Sequence, residues 1–218
     1  MSQLVFKFPF KTKYYEQDFY VSSNNFSAYK LIESWPSWSG KWLNIFGTSG
    51  SGKTHLSKIL EKKINKTKLI QAKNINNSII EELNDLDCLI IDNFQKNIND
   101  KLFYSILNQS NQLDNYIVVN SVPPVKELNF NLKDLQSRLN SFTFIGIELP
   151  TDDLLQVIIS KSFSDKQINL DPKISEYILK NVERSYEKMF KFLKDLDELS
   201  LSTGKSININ LIKKVLNQ

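Results

Sequence analysis

The segment GTSGSGKT at residues 47–54 constrains the fold of this chain more than any other feature of its sequence. It fits the pattern G-x-x-x-x-G-K-[ST], and it lies between an apolar run typical of a strand and a run with helical periodicity. In that context glycines let successive backbone N–H groups and the helix N-terminus face phosphate groups. The segment therefore predicts a phosphate-binding loop; the alternative is a Gly/Ser-rich turn that only links a strand to a helix.

Each part of this loop has an expected role. Lys53 is expected to reach the β- and γ-phosphates, and the Thr54 hydroxyl to bind Mg²⁺. His55 follows in the same helix, and we expect it to pack near the site rather than to catalyse. The residues of this segment that we assign to nucleotide binding are Gly47, Thr48, Ser49, Gly50, Ser51, Gly52, Lys53, Thr54 and His55.

A second element, which ends in an acidic residue, follows about 40 residues after the loop. The buried-strand pattern at 89–91 ends in Asp92, which is expected to hold Mg²⁺ through water. Enzymes of this type that hydrolyse ATP rapidly usually carry a second carboxylate at the next position, but here it is Asn93, which cannot take a proton. The sequence thus predicts nucleotide binding by Asp92, Asn93 and the loop, with weak hydrolysis by the chain itself.

Short apolar runs alternate with helical runs through the first two thirds of the chain. We predict strands at 41–46, 68–72, 87–92, 116–120 and 142–149, and helices near 24–34, 53–64, 74–84, 98–112 and 132–140. This alternation indicates an α/β fold in which a parallel five-stranded sheet lies between helices.

The chain changes character near Thr151, a good helix N-cap that is followed by two aspartates. Helices are expected at about 151–164, 172–182, 185–203 and 208–217, with Asp171 and Pro172 opening the second. We therefore divide the chain into an extended tail at 1–13, an α/β nucleotide-binding core at 14–150 and an all-α lid at 151–218.

Composition excludes several classes of protein. No apolar run reaches the roughly 18 residues of a membrane helix, so we expect no membrane association. One cysteine, Cys88, excludes an internal disulfide, and one histidine makes a Cys/His metal site implausible. A reducing cytoplasm fits these features.

Among 28 basic residues only Arg138 and Arg184 are arginines. Because a planar guanidinium makes bidentate phosphate contacts that an ammonium cannot, an arginine retained in a lysine-rich chain is a candidate phosphate-binding residue. The alternative is that both are ordinary surface residues.

Four motifs taken together resemble the AAA+ P-loop NTPases of the DnaA/Hda family, over a region from about Phe19 to the C-terminus. They are GTSGSGKTHL, IIDN, the VPP at 122–124 and DLQSRL at 134–139. The resemblance implies that Arg138 is an arginine finger, acting in trans on a neighbour's γ-phosphate, and that Arg184 of the lid touches the bound nucleotide. It suggests ADP as the cofactor, whereas the loop alone would accept ADP or ATP with Mg²⁺.

The N-terminal segment QLVFKF resembles the peptide by which members of this family dock on the DNA polymerase III sliding clamp (beta subunit). The assigned clamp-binding residues are Gln3, Leu4, Phe6 and Phe8. An extended peptide can place its apolar side chains in a groove while Gln3 supplies hydrogen bonds. A strand that packs on its own domain is the alternative.

Two regions depart from the family pattern. Asn120, Ser121 and Val122 stand where an Asp commonly precedes the two prolines, so it is open whether Asn120 or Ser121 replaces that sensor residue. The segment FYVSSN at 19–24 resembles the adenine-side segment but lacks its Gly.

The favoured function is negative regulation of chromosomal replication initiation: with the sliding clamp, the nucleotide-bound protein stimulates hydrolysis of DnaA-bound ATP through Arg138. The expected partners are the DnaA initiator and the clamp, with DNA contacted only indirectly and a homo-oligomer possible. The alternative is an autonomous AAA+ ATPase such as a DnaC-type helicase loader. The initiator itself is disfavoured because no helix-turn-helix follows the lid in this sequence.

Overall fold

A computed structural model of the chain describes residues 16–217, apart from the side chain of Gln17. The chain divides into two compact units, and the division falls between Glu148 and Leu149. Each unit has its own hydrophobic core.

The first unit is built on a sheet of five parallel strands in the order β2-β3-β4-β1-β5. The strands are β1 Trp42–Gly47, β2 Thr67–Gln71, β3 Cys88–Phe94, β4 Tyr116–Ser121 and β5 Thr143–Ile147. The prediction of a parallel five-stranded sheet is confirmed. Strand β5 is shorter than predicted because the ladder ends at Ile147, before Leu149 and Pro150.

Helices cover both faces of this sheet. They are α1 Phe26–Glu33, α2 Lys53–Lys63, α3 Ser78–Glu82, α4 Asp100–Leu113 and α5 Lys133–Leu139. Successive side chains of a strand point to opposite faces, and in β3 Leu89 belongs to the cluster that includes residues of α4 whereas Ile90 belongs to the cluster that includes residues of α2. Strand β3 is therefore buried on both faces, which explains its unbroken apolar run.

The helix predicted at 74–84 is wrong in its extent. The segment forms a 3₁₀ turn at Ala72–Asn74, the short helix α3 and a second 3₁₀ turn at Leu83–Asp85. The side-chain oxygen of Asn76 accepts hydrogen bonds from the backbone N–H of Ser78, at 2.9 Å, and from its hydroxyl, at 2.6 Å. Such local bonds compete with helix formation, so the helix begins only at Ser78.

A fully buried asparagine fixes the carboxyl edge of the sheet. Asn44 of β1 donates to the carbonyl oxygen of Val119 and to the Ser121 hydroxyl, both at 2.9 Å. Its own side-chain oxygen accepts from the N–H of Val125 at 2.9 Å. These bonds join β1, β4 and the turn after β4 next to the phosphate loop.

The second unit, over described residues 149–217, consists of four α-helices: α6 Asp152–Ser164, α7 Pro172–Asn181, α8 Tyr186–Thr203 and α9 Ile209–Leu216. Thr151 caps α6 by accepting from the N–H of Leu154, and Asp171 caps α7 by accepting from the N–H of Lys173, with Pro172 as the first helical residue. Both predicted caps are confirmed. None of the helices in the described part of the chain has the length and apolar character that crossing a bilayer requires.

Candidate nucleotide site

The loop between β1 and α2 is formed by the predicted phosphate-binding segment. Gly52 immediately precedes α2 with φ of 98°, a backbone conformation that favours glycine. A Cβ at Gly52 would lie 3.0 Å from the ring of Phe19, and one at Gly47 would lie 2.7 Å from the carbonyl oxygen of Ile147. Glycine is therefore required at both ends of the loop, by conformation at Gly52 and by close packing at Gly47.

Lys53 is almost fully buried against this loop. Its ammonium donates to the carbonyl oxygens of Gly47 and Thr48, at 2.7 and 2.8 Å, and to the Ser51 hydroxyl at 3.4 Å. Burial lowers the pKa of Lys53 below its usual value, and the negative charge of Asp92 opposes that shift. A partly desolvated ammonium surrounded by neutral acceptors gains most from an anionic partner such as a phosphate.

Asp92 is the centre of a buried hydrogen-bond network, with 1% of its surface exposed. Its Oδ2 accepts from the Thr54 hydroxyl at 2.8 Å and from Nε2 of Gln71 at 3.1 Å. Its Oδ1 accepts from Nδ2 of Asn120 at 2.9 Å. The structure thus brings together Thr54 and Asp92, the two residues that the sequence assigns to Mg²⁺.

The donor set fits a magnesium ion bound together with a nucleotide. Mg²⁺ in such sites takes one or two protein oxygens, and phosphates and water supply the remainder. Thr54 Oγ1 and the Asp92 carboxylate are hard oxygen ligands at the edge of the loop. Within residues 16–217 no cluster of three or more His, Cys, Asp or Glu side chains is arranged to hold a metal ion.

Asn93 is exposed, and it is linked to the buried network through Gln71. Its φ is 55°, its side chain is exposed, and the β3–β4 register is irregular between Ile91 and Phe94. Its Nδ2 donates to Oε1 of Gln71 at 2.7 Å. Gln71 therefore bridges Asp92 and Asn93 through the two ends of one amide.

Sequence reasoning missed Gln71 and left the role of Asn120 open. No local pattern in the sequence identifies Gln71, because its position beside Asp92 depends on the register of β2 against β3. Asn120 is fully buried and donates to both Asp92 and the Ser57 hydroxyl, whereas the hydroxyl of Ser121 donates to the carbonyl oxygen of Pro123. Among the described residues no group donates to Oδ1 of Asn120. Asn120 is thus the residue of this pair that faces Asp92.

An aromatic group lies beside the loop. The ring of Phe19 stacks on Tyr29 with a centroid separation of 5.8 Å and meets His55 edge-on at 5.2 Å. The segment at 19–24 that resembles the adenine-side segment therefore begins next to Gly52 and His55, and the packing expected of His55 is observed.

Arg138 lies far from the phosphate loop of its own chain. Its Cζ is 5.9 Å from the ring centroid of Trp42, at the amino end of β1, whereas the loop follows the carboxyl end. The five residue-to-residue steps of β1 separate these ends by roughly 16 Å, at about 3.3 Å per step. Among the described residues the Arg138 side chain has no carboxylate partner.

Arg184 lies in the second unit and is paired within it. Its Nε and Nη2 donate to the two carboxylate oxygens of Asp152, at 2.6 and 3.0 Å, and both side chains are exposed. Hydrogen bonding to Arg184 lowers the pKa of Asp152 below its usual value. The predicted contact of Arg184 with nucleotide stays a prediction.

The predicted clamp-binding residues Gln3, Leu4, Phe6 and Phe8 lie outside the described part of the chain. Their role stays a prediction as well.

Comparison with known proteins agrees with this architecture. Residues 152–216 match the family model of the Hda lid domain, and residues 43–133 match a family model described as RNA helicase. The DnaA initiator of Porphyromonas gingivalis is 26% identical over 228 residues, covering 93% of this chain and 48% of the relative. The chain thus spans about half the length of the DnaA relatives it matches.

Solved structures show the same fold. Domain III of Thermotoga maritima DnaA superposes with a TM-score of 0.78 at 19% identity, covering 96% of this chain and 98% of that one. AMPPCP-bound DnaA from Aquifex aeolicus superposes with a TM-score of 0.69 at 22% identity, covering 89% and 68%. The chain therefore has the fold of DnaA domain III and is similar in sequence to DnaA initiators, and its residues 152–216 match the Hda lid domain.

Proposed function

We propose that this protein binds an adenine nucleotide with Mg²⁺ and stimulates the hydrolysis of ATP bound to a DnaA initiator. In this proposal Lys53 and the loop N–H groups hold the phosphates, and Thr54 and Asp92 hold the ion. The bound Mg²⁺ supplies neutralisation of phosphate charge. AMPPCP binding by the Aquifex aeolicus relative supports an adenine nucleotide as the ligand.

The observation that carries the proposal is the position of Arg138. Its guanidinium is near the amino end of β1, away from the loop of its own chain, and no carboxylate of the described residues neutralises it. A guanidinium so placed is suited to a phosphate of another chain. Asn93 also supports the proposal, because the position beside Asp92 lacks the carboxylate that would activate water for rapid hydrolysis.

We further propose that residues Gln3, Leu4, Phe6 and Phe8 dock the protein on the sliding clamp. Docking would bring Arg138 to DnaA at replicating DNA, without direct contact between this chain and DNA. Conversion of DnaA from its ATP form would then make the protein a negative regulator of replication initiation.

The decisive experiment measures hydrolysis of ATP preloaded on DnaA, in the presence of DNA-loaded clamp and this protein. Arg138→Ala should retain nucleotide and clamp binding but lose stimulation, because a finger supplied in trans is worth about 10³- to 10⁵-fold in rate. Lys133→Ala is the matched control, since it removes an exposed cation from the same helix. Full stimulation by Arg138→Ala would refute the proposal.

The clamp contact is tested separately with a labelled peptide of residues 1–13. It should bind purified clamp, and Gln3→Ala should weaken that binding. If the peptide does not bind the clamp, the proposed recruitment step is refuted, whereas the proposed role of Arg138 as an arginine finger is not affected.

The second candidate is an autonomous ATPase of the helicase-loader kind. The complete set of Lys53, Thr54 and Asp92 favours it, since these residues would serve hydrolysis in the same chain. A steady-state ATPase assay on the isolated protein distinguishes the two, because brisk turnover without DnaA supports the ATPase.

A further inference from the structure

The guanidinium of Arg138 lies over the rings of two aromatic residues from different elements. Its Cζ is 5.9 Å from the ring centroid of Trp42 in β1 and 5.5 Å from that of Tyr104 in α4. Both distances fall within the roughly 6 Å at which a cation is attracted to an aromatic face. The Arg138 side chain, which belongs to α5, thus contacts two other elements of the first unit, β1 and α4.

Trp42 is itself fixed in place. Only 9% of its surface is exposed, and its indole N–H donates to the Ser110 hydroxyl at 3.2 Å. Its ring packs against Phe142 with centroids 5.6 Å apart. Tyr104 packs partly buried against the same core, so the two rings form a rigid support.

We propose that Trp42 and Tyr104 are positioning residues that orient Arg138 before it meets the phosphate of a partner chain. This inference rests on the proposed finger role of Arg138. Aromatic rings attract the face or edge of a guanidinium without accepting conventional hydrogen bonds, so N–H groups that point away from them stay available for bidentate contact with phosphate oxygens. A long side chain that is already oriented loses less freedom when its partner docks.

The composition of the chain makes this orientation directly measurable. Arg138 and Arg184 are its only arginines, so an NMR spectrum of the arginine Nε–H groups contains two signals, and Arg138→Lys identifies the one from Arg138. Ring currents should displace the Hδ and Nε–H signals of Arg138 from their random-coil positions. Tyr104→Leu should reduce that displacement, and Tyr104→Phe, which keeps a ring, should preserve it.

The functional readout is stimulated hydrolysis of DnaA-bound ATP at a range of concentrations of this protein. Tyr104→Leu should lower the maximal rate by about three- to tenfold, the effect expected of one cation–π contact, with an unchanged half-saturating concentration. Tyr104→Phe, which keeps the ring, should retain the maximal rate of the wild type. A support that only stabilised the fold would instead shift the melting temperature and leave the rate of the folded protein unchanged.

The outcomes separate this inference from the function on which it rests. Random-coil signals of Arg138 in the wild type, or a wild-type rate in Tyr104→Leu while Arg138→Ala is inactive, would overturn only the positioning role. Full stimulation by Arg138→Ala would overturn the finger role and the positioning role together. Trp42→Phe provides a second variant that keeps a ring at the other contact, and it should retain most of the displacement and of the rate.

Discussion

Replacing Asn93 by glutamate tests why this chain should be a slow ATPase. The variant adds a carboxylate beside Asp92, at the position where a general base would orient water. A positioned general base contributes about 10²- to 10⁴-fold to rate. We expect Asn93→Glu to reach only the lower end, about 10²-fold, which corresponds to roughly 2.7 kcal/mol of activation free energy.

The expectation is at the lower end because of the hydrogen bonds of Gln71. Its Oε1 faces residue 93 at 2.7 Å, and its Nε2 donates to Asp92 at 3.1 Å. A carboxylate at residue 93 would meet that oxygen, so the Gln71 amide must turn. The turned amide would present Oε1 of Gln71 to Asp92, and the hydrogen bond from Nε2 to Asp92 would be lost. The carboxylates of residues 92 and 93 would therefore compete for the one amide N–H group of Gln71.

Backbone conformation supplies the control. Residue 93 has φ of 55°, which asparagine tolerates better than longer side chains, and a left-handed residue costs about 1 to 2 kcal/mol. Both Asn93→Glu and Asn93→Gln should therefore lower the melting temperature by roughly 2 to 8 °C. Only Asn93→Glu should hydrolyse ATP faster in a steady-state assay of the isolated protein with Mg²⁺.

Equal activation by Asn93→Gln would show that backbone strain, not a carboxylate, sets the rate. A wild-type protein that already turns over as fast as Asn93→Glu would contradict the premise that the missing carboxylate limits hydrolysis.

Three further perturbations probe the loop, the buried network and the lid. Gly52→Ala should destabilise the protein by about 1 to 3 kcal/mol, because its φ is 98° and its Cβ would press on Phe19; thermal melting measures this, and an unchanged melting temperature would contradict it. Asn120→Ala removes the amide that donates to Asp92 and Ser57. Denaturant unfolding should show a loss of about 1 to 3 kcal/mol in the free energy of unfolding, and calorimetry should show weaker binding of Mg²⁺-nucleotide. Undiminished binding would exclude a role for Asn120 in orienting Asp92. Arg184→Gln should raise the pKa of Asp152 in an NMR titration, because hydrogen bonding to Arg184 holds that pKa below its usual value. Since the pKa of Asp152 is lower in the folded protein, the ion pair stabilises the folded state at pH values above the unfolded pKa of about 3.9. This contribution is lost as the pH falls through the lower pKa of the folded state.

The sequence was sufficient wherever a local pattern decides the structure. The apolar run before Asp92 forms a doubly buried strand, and Thr151 and Asp171 cap helices as expected. It was insufficient where a side chain acts across strands. The contacts that Gln71 makes with Asp92 and Asn93 depend on the pairing of β2 with β3 and on the irregular backbone at Asn93, and neither follows from spacing along the chain.

The two arginines show that the premise drawn from composition admits more than one physical use. Retention of arginine in a lysine-rich chain indicates that the planar guanidinium matters, but phosphate is not its only partner. Arg184 donates to both oxygens of a carboxylate within the lid, and Arg138 lies over two aromatic rings. A lysine ammonium reproduces neither arrangement well, since it lacks both the two-pronged donor geometry and the flat face. Arg184 already directs two donors at Asp152, whereas the described contacts of the Arg138 side chain leave its N–H groups without a carboxylate, and this difference favours Arg138 as the residue that acts on another chain's phosphate.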